Sequence, residues 1–153
     1  PMDLPDLKDD PHLNVLRPLV ETYLAFSRLD SRHVRQLRLT PSQFDVIATL
    51  GDTKGLTCAE LSTATLVTKG TLTGVLDRLE AKGLIRRIPV PDDRRSTRIS
   101  LTAKGNRLFE KTFAAHIAFL RPFFQRALST AEASQLRGLL LRLQRSLQGT
   151  PPA

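Results

Sequence analysis

A mainly α-helical fold carrying one small β-hairpin (α+β) is what this chain of 153 residues predicts, and three observations predict it. Leucine and phenylalanine recur at helical spacing along most of the sequence. Capping-box patterns open at Thr40, Thr57 and Ser129, each with Gln or Glu three residues on. The period changes to β-type residues in one place, directly after Gly83.

Taken in order, a first long helix runs from about Leu13 or Pro18 to Leu37. Leu16, Leu19, Val20, Tyr23 and Leu24 form its apolar face, and Pro18 marks either its start or a kink. Thr40-Pro41-Ser42-Gln43 opens a second helix with Phe44, Ile47 and Leu50 on one face and Gly51 as its stop. Thr57-Cys58-Ala59-Glu60 opens a short third helix. A fourth spans about 68–82, capped by Thr68, ended by Gly83 in a left-handed conformation, and buried through Leu72, Val75, Leu76 and Leu79. Leu84–Val90 and Ser96–Leu101 then read as two strands about the turn Pro91-Asp92-Asp93. A long helix follows the Thr102 cap with Leu108, Phe109, Phe113, Ile117 and Leu120, Pro122 kinking or breaking it. The last helix carries Leu136, Leu139, Leu140, Leu143 and Leu147.

That order describes a winged helix-turn-helix lobe at 40–102 between helical regions at 12–38 and 103–148. The terminal helices hold more apolar surface than so small a lobe can cover, so they are expected to dimerise. The acidic arm 1–11 and the tail 149–153 are expected to be disordered.

The outward face of the fourth helix presents Gly70, Thr73, Gly74 and Asp77, flanked by Thr71, Arg78 and Lys69. Small residues let a backbone approach base pairs, hydroxyls bond base edges or phosphates, and Arg and Lys reach guanine or the sugar-phosphate chain. Two glycines there weaken the helix by roughly 1 kcal/mol each relative to alanine, which close approach to a partner explains. The hairpin adds Asp92, Asp93, Arg94 and Arg95 at its tip and Arg86, Arg87 and Arg98 on its strands. Arg94 is the expected minor-groove residue, with Asp92 pinning it through a charge-assisted hydrogen bond. Residues 68–104 hold nine Lys and Arg against four Asp and Glu.

Charge agrees with a polyanionic partner. The net charge is +8, and the first eleven residues carry four Asp against one Lys, so the rest carries +11. No apolar run spans a bilayer and no secretory signal is visible, so a cytoplasmic protein without membrane contact is expected. One cysteine, Cys58, fits a reducing compartment. Neither a phosphate loop nor a catalytic triad nor metal-ligand spacing is present, so no enzyme, cofactor or metal is expected.

LDRLEAKGLIRR (76–87) followed by PDDRRSTRISLTAKG (91–105), with its D-x-R wing element and LT-x-x-G helix start, resembles the MarR family of bacterial regulators. The likeness extends more weakly over about 14–148. It implies a six-helix winged-helix homodimer on a palindromic double-stranded operator. Thr68, Lys69, Thr71, Thr73, Arg78, Arg94 and Arg95 would then touch DNA. It further implies a repressor of neighbouring genes, released by a small phenolic or other aromatic ligand or by cysteine oxidation. By the same analogy Arg28, His33, Phe44, Phe113 and His116 line an effector cleft. The alternatives are a redox-sensing repressor using Cys58, whose position after an N-cap favours a thiolate, and an effector-independent DNA-binding adaptor.

Overall fold

The computed structural model describes residues 9–149, with the side chain of Arg94 outside that description. The expectations for residues 1–8 of the arm and 150–153 of the tail lie outside it as well. A 3-10 turn at Leu13–Val15 leads into α1 (Leu16–Gln36), followed by α2 (Pro41–Leu50), β1 (Leu56–Thr57), α3 (Cys58–Ala64) and α4 (Lys69–Ala81). Then come β2 (Ile85–Val90), β3 (Asp93–Leu101), α5 (Ala103–Ala127) and α6 (Thr130–Leu147). The chain divides into two compact units, one ending at Phe113 and one starting at Ala114.

The three capping boxes form as the sequence requires. The Thr40, Thr57 and Ser129 side chains each accept from the N3 amide, and Gln43, Glu60 and Glu132 reach back to the cap amide. At Ser129 the reciprocal bonds hold the Glu132 carboxyl below the usual carboxylate range. Thr68 departs from expectation. It occupies the N-cap position of α4, but its hydroxyl donates to Thr71 Oγ1 at 3.1 Å and caps no amide. The backbone carbonyl of Thr68 alone starts the helix, bonded by the amides of Thr71 and Leu72.

The first unit packs around one apolar cluster. Leu72, Val75, Leu76 and Leu79 of α4 are all buried in it, together with Val46, Ile47 and Leu50 of α2, Leu61 of α3 and Ile85 and Ile99 of the sheet. Burial of such side chains stabilises a fold by roughly 1.5–3 kcal/mol each, so the helix stripe fixes which face of α4 stays outside. Gly83 takes φ +69° and turns the chain from α4 into β2. Thr102 joins the end of α4 to the start of α5: its hydroxyl donates to the Gly83 carbonyl at 2.6 Å and accepts from the Gly105 amide at 3.0 Å. Gly105 has no room for a side chain, because a Cβ there would meet the Leu84 carbonyl. The glycine of the LT-x-x-G start is thus a packing requirement.

Three expectations need correction. The sheet has three strands in the order β1-β3-β2, because Leu56 and Thr57 pair antiparallel with Ile99 and Arg98. Two residues are too few to show alternation in a sequence. Strand β3 begins at Asp93, closer to the turn than expected, with a register shift between Pro89 and Val90. Helix α5 runs through Pro122 without a break; the residue is exposed, so water can serve the carbonyl deprived of its amide partner. Gly51 ends α2 as expected, at φ −57°, and its Cβ position is filled by the Phe109 ring. Pro18 falls in the first turn of α1, where proline is tolerated.

The second unit is the end of α5 with α6. His116 is buried there, its ring 6.5 Å from that of Phe119, which meets Phe123 edge-on at 5.5 Å. Leu136, Leu139, Leu140 and Leu147 of α6 are exposed, as are Leu16, Val20, Tyr23 and Leu24 on α1 in the first unit. Among the described residues no helix is long and apolar enough to cross a membrane.

Candidate nucleic-acid interface

With its leucine stripe in the core, α4 turns Lys69, Gly70, Thr71, Thr73, Asp77 and Arg78 outward, all exposed, with Gly74 partly so. Thr68, just ahead of the helix, is exposed too. A Cβ added at Gly70 or Gly74 would meet nothing within 4 Å. Intramolecular packing therefore gives no reason for glycine at either position.

On the hairpin, Asp92 and Arg95 are exposed. Asp93 Oδ1 accepts from the Arg95 amide at 3.0 Å, which fixes the first residues of β3 beside the turn. The expected contact between Asp92 and the Arg94 side chain lies outside the described residues.

The strand arginines each have a partner within the lobe. Arg86 donates to Ser100 Oγ at 3.3 Å, and Arg98 donates to the Gly55 carbonyl at 2.8 Å. Arg87 forks onto α4, donating to Asp77 Oδ1 at 2.8 Å and Glu80 Oε1 at 3.2 Å. Its bond to Asp77, with the charges of Asp77 and Glu80 close by, holds the guanidinium even more firmly protonated. These pairs tie strand β2, which hydrogen-bonds to the contact-bearing β3, to α4. Asp77 and Glu80 lie three apart on one helix face, but their pairing with a residue in β2 has no local sequence signature.

A cleft of about 400 Å³ opens where α1, α2 and the α3–α4 turn meet, lined among others by Phe26, Asp30, Phe44, Asp45, Leu66 and Val67. Asp45 accepts from the Leu66 amide at 2.8 Å. Burial pushes its carboxyl above the ordinary aspartate range, against that hydrogen bond and with help from nearby Asp30. Of the five residues expected to line an effector cleft, Phe44 does so here. Arg28 points to solvent from α1, His33 is half-buried further along α1, and Phe113 stacks obliquely on Phe109 at 5.2 Å. His116 belongs to the second unit. Cys58 is exposed at the first position of α3.

A helix-turn-helix pair, α3 and α4, followed by a braced β-ribbon defines a winged helix-turn-helix protein. Comparison with known proteins gives the family. The MarR family model matches residues 39–97. The HTH-type transcriptional regulator PecS of Dickeya dadantii is 33% identical over 150 residues, covering 94% of this chain and 87% of PecS. Among solved structures, a mutant form of E. coli MarR complexed with operator DNA superposes with TM-score 0.74 at 27% identity, over 86% of this chain and 94% of that one. Bordetella bronchiseptica BpsR, solved to explain regulation of its DNA binding by 6-hydroxynicotinic acid, gives TM-score 0.73 at 25% identity, over 86% and 98%. The chain belongs to the MarR family and is a DNA-binding transcriptional regulator.

If α4 reads bases, Thr71→Val and Thr73→Val should each change the ranking of bound sequences in a selection from random DNA. A uniform loss over all sequences would instead assign these hydroxyls to the phosphate backbone.

Proposed function

We propose that this protein is a homodimeric repressor that grips a palindromic operator and is released by a small aromatic ligand. The observation that carries the reading is the division of α4 into a fully buried leucine-valine face and an exposed Gly-Thr-Lys-Arg face, with β2 clamped against it by Arg87. Lys69, Gly70, Thr71, Thr73 and Arg78 enter the major groove, Thr68 contacts the backbone beside it, and Arg94 and Arg95 follow the minor groove with Asp92 at the tip. The exposed apolar residues of α1 and α6 favour a second copy as their cover, which matches a two-fold operator with half-sites about 10 bp apart. A relative bound to operator DNA supports the same arrangement. Residues 12–38 and 103–148 thereby act as the dimerising region and 40–102 as the DNA-binding lobe.

The cleft beside Phe44 suits the effector. Its phenyl rings favour an aromatic body, and Asp30, Asp45 and the serines around them favour a ligand that donates hydrogen bonds. Leu66 and Val67 line it and lead directly into Thr68, so an occupant that disturbs the Asp45–Leu66 bond reaches the start of α4. The BpsR precedent supports ligand control of this kind.

The test is a titration of operator DNA with Arg94→Ala and Arg137→Ala. Losing a groove-bound arginine should weaken binding by about tenfold or more, whereas Arg137 on α6 should leave it within about twofold. Equal losses would refute the wing assignment. Repeating the titration with a panel of hydroxylated aromatics and with peroxide separates ligand release from oxidation at Cys58. Insensitivity to both leaves the effector-independent adaptor.

A further inference from the structure

Leu66, 85% exposed, is the most exposed of the large apolar side chains among the described residues. It lies on the α3–α4 turn and not on α1, α5 or α6, where most of the other exposed apolar residues gather. Its place in that turn is fixed from both sides. Thr65, buried, donates its hydroxyl to the Leu61 carbonyl at 2.7 Å, and the Leu66 amide donates to Asp45 Oδ2 at 2.8 Å. Val67, on the other side, is buried in the core of the lobe.

Burial alternates along the turn, with Thr65 in, Leu66 out, Val67 in and Thr68 out. Thr65 and Thr68 have extended backbones, and side chains on extended backbone alternate between two sides. Leu66 therefore shares a side with Thr68, the residue that opens α4 and whose hydroxyl meets Thr71. It stands at the same end of the helix as Lys69, Gly70 and Thr71, all exposed. The cleft beside Phe44 has Leu66 in its lining, but at 85% exposure that cleft covers little of the side chain. Held in water the isobutyl group contributes nothing to the fold, whereas an apolar partner would draw it out of water.

We infer that Leu66 reads sequence: its side chain packs against the C5-methyl group of a thymine in the major groove entered by the start of α4. The inference rests on the proposed role of α4 as the base-contacting helix. Leucine has neither donor nor acceptor on its side chain, so it bonds neither a phosphate nor the polar edge of a base. The apolar group that base edges present in the major groove is the thymine methyl, which a leucine can cover. The anchored backbone places the isobutyl group before DNA arrives, so little freedom is lost on contact. Thr71, Thr73 and Arg78 offer hydrogen bonds. Leu66 adds a preference of another kind, for thymine over uracil, which differs from it only by the methyl.

The experiment starts from the duplex that the full chain binds best in a selection from random DNA. Each thymine in it is replaced by uracil, one at a time, and binding is titrated for the unaltered protein and for Leu66→Ala. Uracil at one position of a half-site should weaken the unaltered protein about fourfold, as loss of one buried methyl-sized group does. The same uracil should leave the affinity of Leu66→Ala unchanged. The melting temperature of that variant should hold, because so exposed a side chain gives the core nothing. Equal losses in both proteins at every thymine would overturn the proposal. So would indifference of the unaltered protein to uracil throughout, which would leave Leu66 against sugar carbons or water. 7-Deazaguanine in the same duplex tests the groove assignment of α4 separately, because it removes a major-groove acceptor and leaves thymine intact. Sensitivity to it without thymine coupling refutes the role of Leu66 alone, and insensitivity to both substitutions refutes the groove assignment as well. A lower molar mass for Leu66→Ala in sedimentation would also overturn the proposal, since a second copy would then be what covers Leu66.

Discussion

Replacing Gly70 and Gly74 with alanine should raise the melting temperature and weaken operator binding in the same protein. Alanine favours a helix interior over glycine by about 1 kcal/mol, a gain that applies in full at Gly74 and in part at Gly70, the second residue of α4. Neither glycine has a positive φ, and neither added Cβ meets another atom within 4 Å. The folded chain therefore gains stability without strain. DNA affinity responds to different physics. If base edges approach the backbone at these glycines, a methyl group on each holds the helix away and stretches every contact made by Thr71, Thr73 and Arg78. A loss of about tenfold corresponds to about 1.4 kcal/mol spread over those contacts, and Gly74→Leu should lose far more. Thermal melts and operator titrations on one preparation give both numbers. Stabilisation with unchanged affinity would mean that this face of α4 is merely solvated, and the groove assignment would fail with it.

The opposite signs are informative because they separate what the sequence determines locally from what the fold determines at a distance. The caps at Thr40, Thr57 and Ser129, the buried stripe of α4 and the left-handed Gly83 are all legible in the chain, since each depends on residues within one or two helical turns. The glycine-threonine face is legible for the same reason, as the complement of the stripe. Strand β1 is not legible, because its two residues acquire their identity only by pairing with β3 more than forty residues later. The role of the strand arginines is hidden likewise. Counting charges joins Arg86, Arg87 and Arg98 to a common basic patch, but their partners Ser100, Glu80, Asp77 and the Gly55 carbonyl come from packing that no count reveals. The cleft beside Phe44 has no sequence signature either, because it is assembled from three elements. The effector residues chosen by analogy consequently scatter, with Phe44 the one member that faces the α1–α2 cleft.

Arg87→Ala should weaken operator binding far more than it destabilises the fold. The arginine and its partners are partly exposed, with side-chain accessibilities of 30% for Arg87, 61% for Asp77 and 44% for Glu80. Ion pairs in such surroundings contribute less than about 1 kcal/mol to stability. Removing the guanidinium has two further consequences at the DNA surface. It unties β2 from α4, so the hairpin and helix no longer present their contacts at a fixed separation, and ordering them becomes part of the binding free energy. It also leaves Asp77 and Glu80 as uncompensated charges on the face that approaches phosphates. Together these should reduce affinity by about tenfold or more. Adding Asp77→Asn to Arg87→Ala separates the two effects. If repulsion dominates, the double variant recovers much of the affinity, and the gain shrinks as salt is raised. If bracing dominates, affinity stays low at every salt concentration. A single variant whose operator affinity falls only in proportion to its small stability loss would show that Arg87 has no part in presenting the wing.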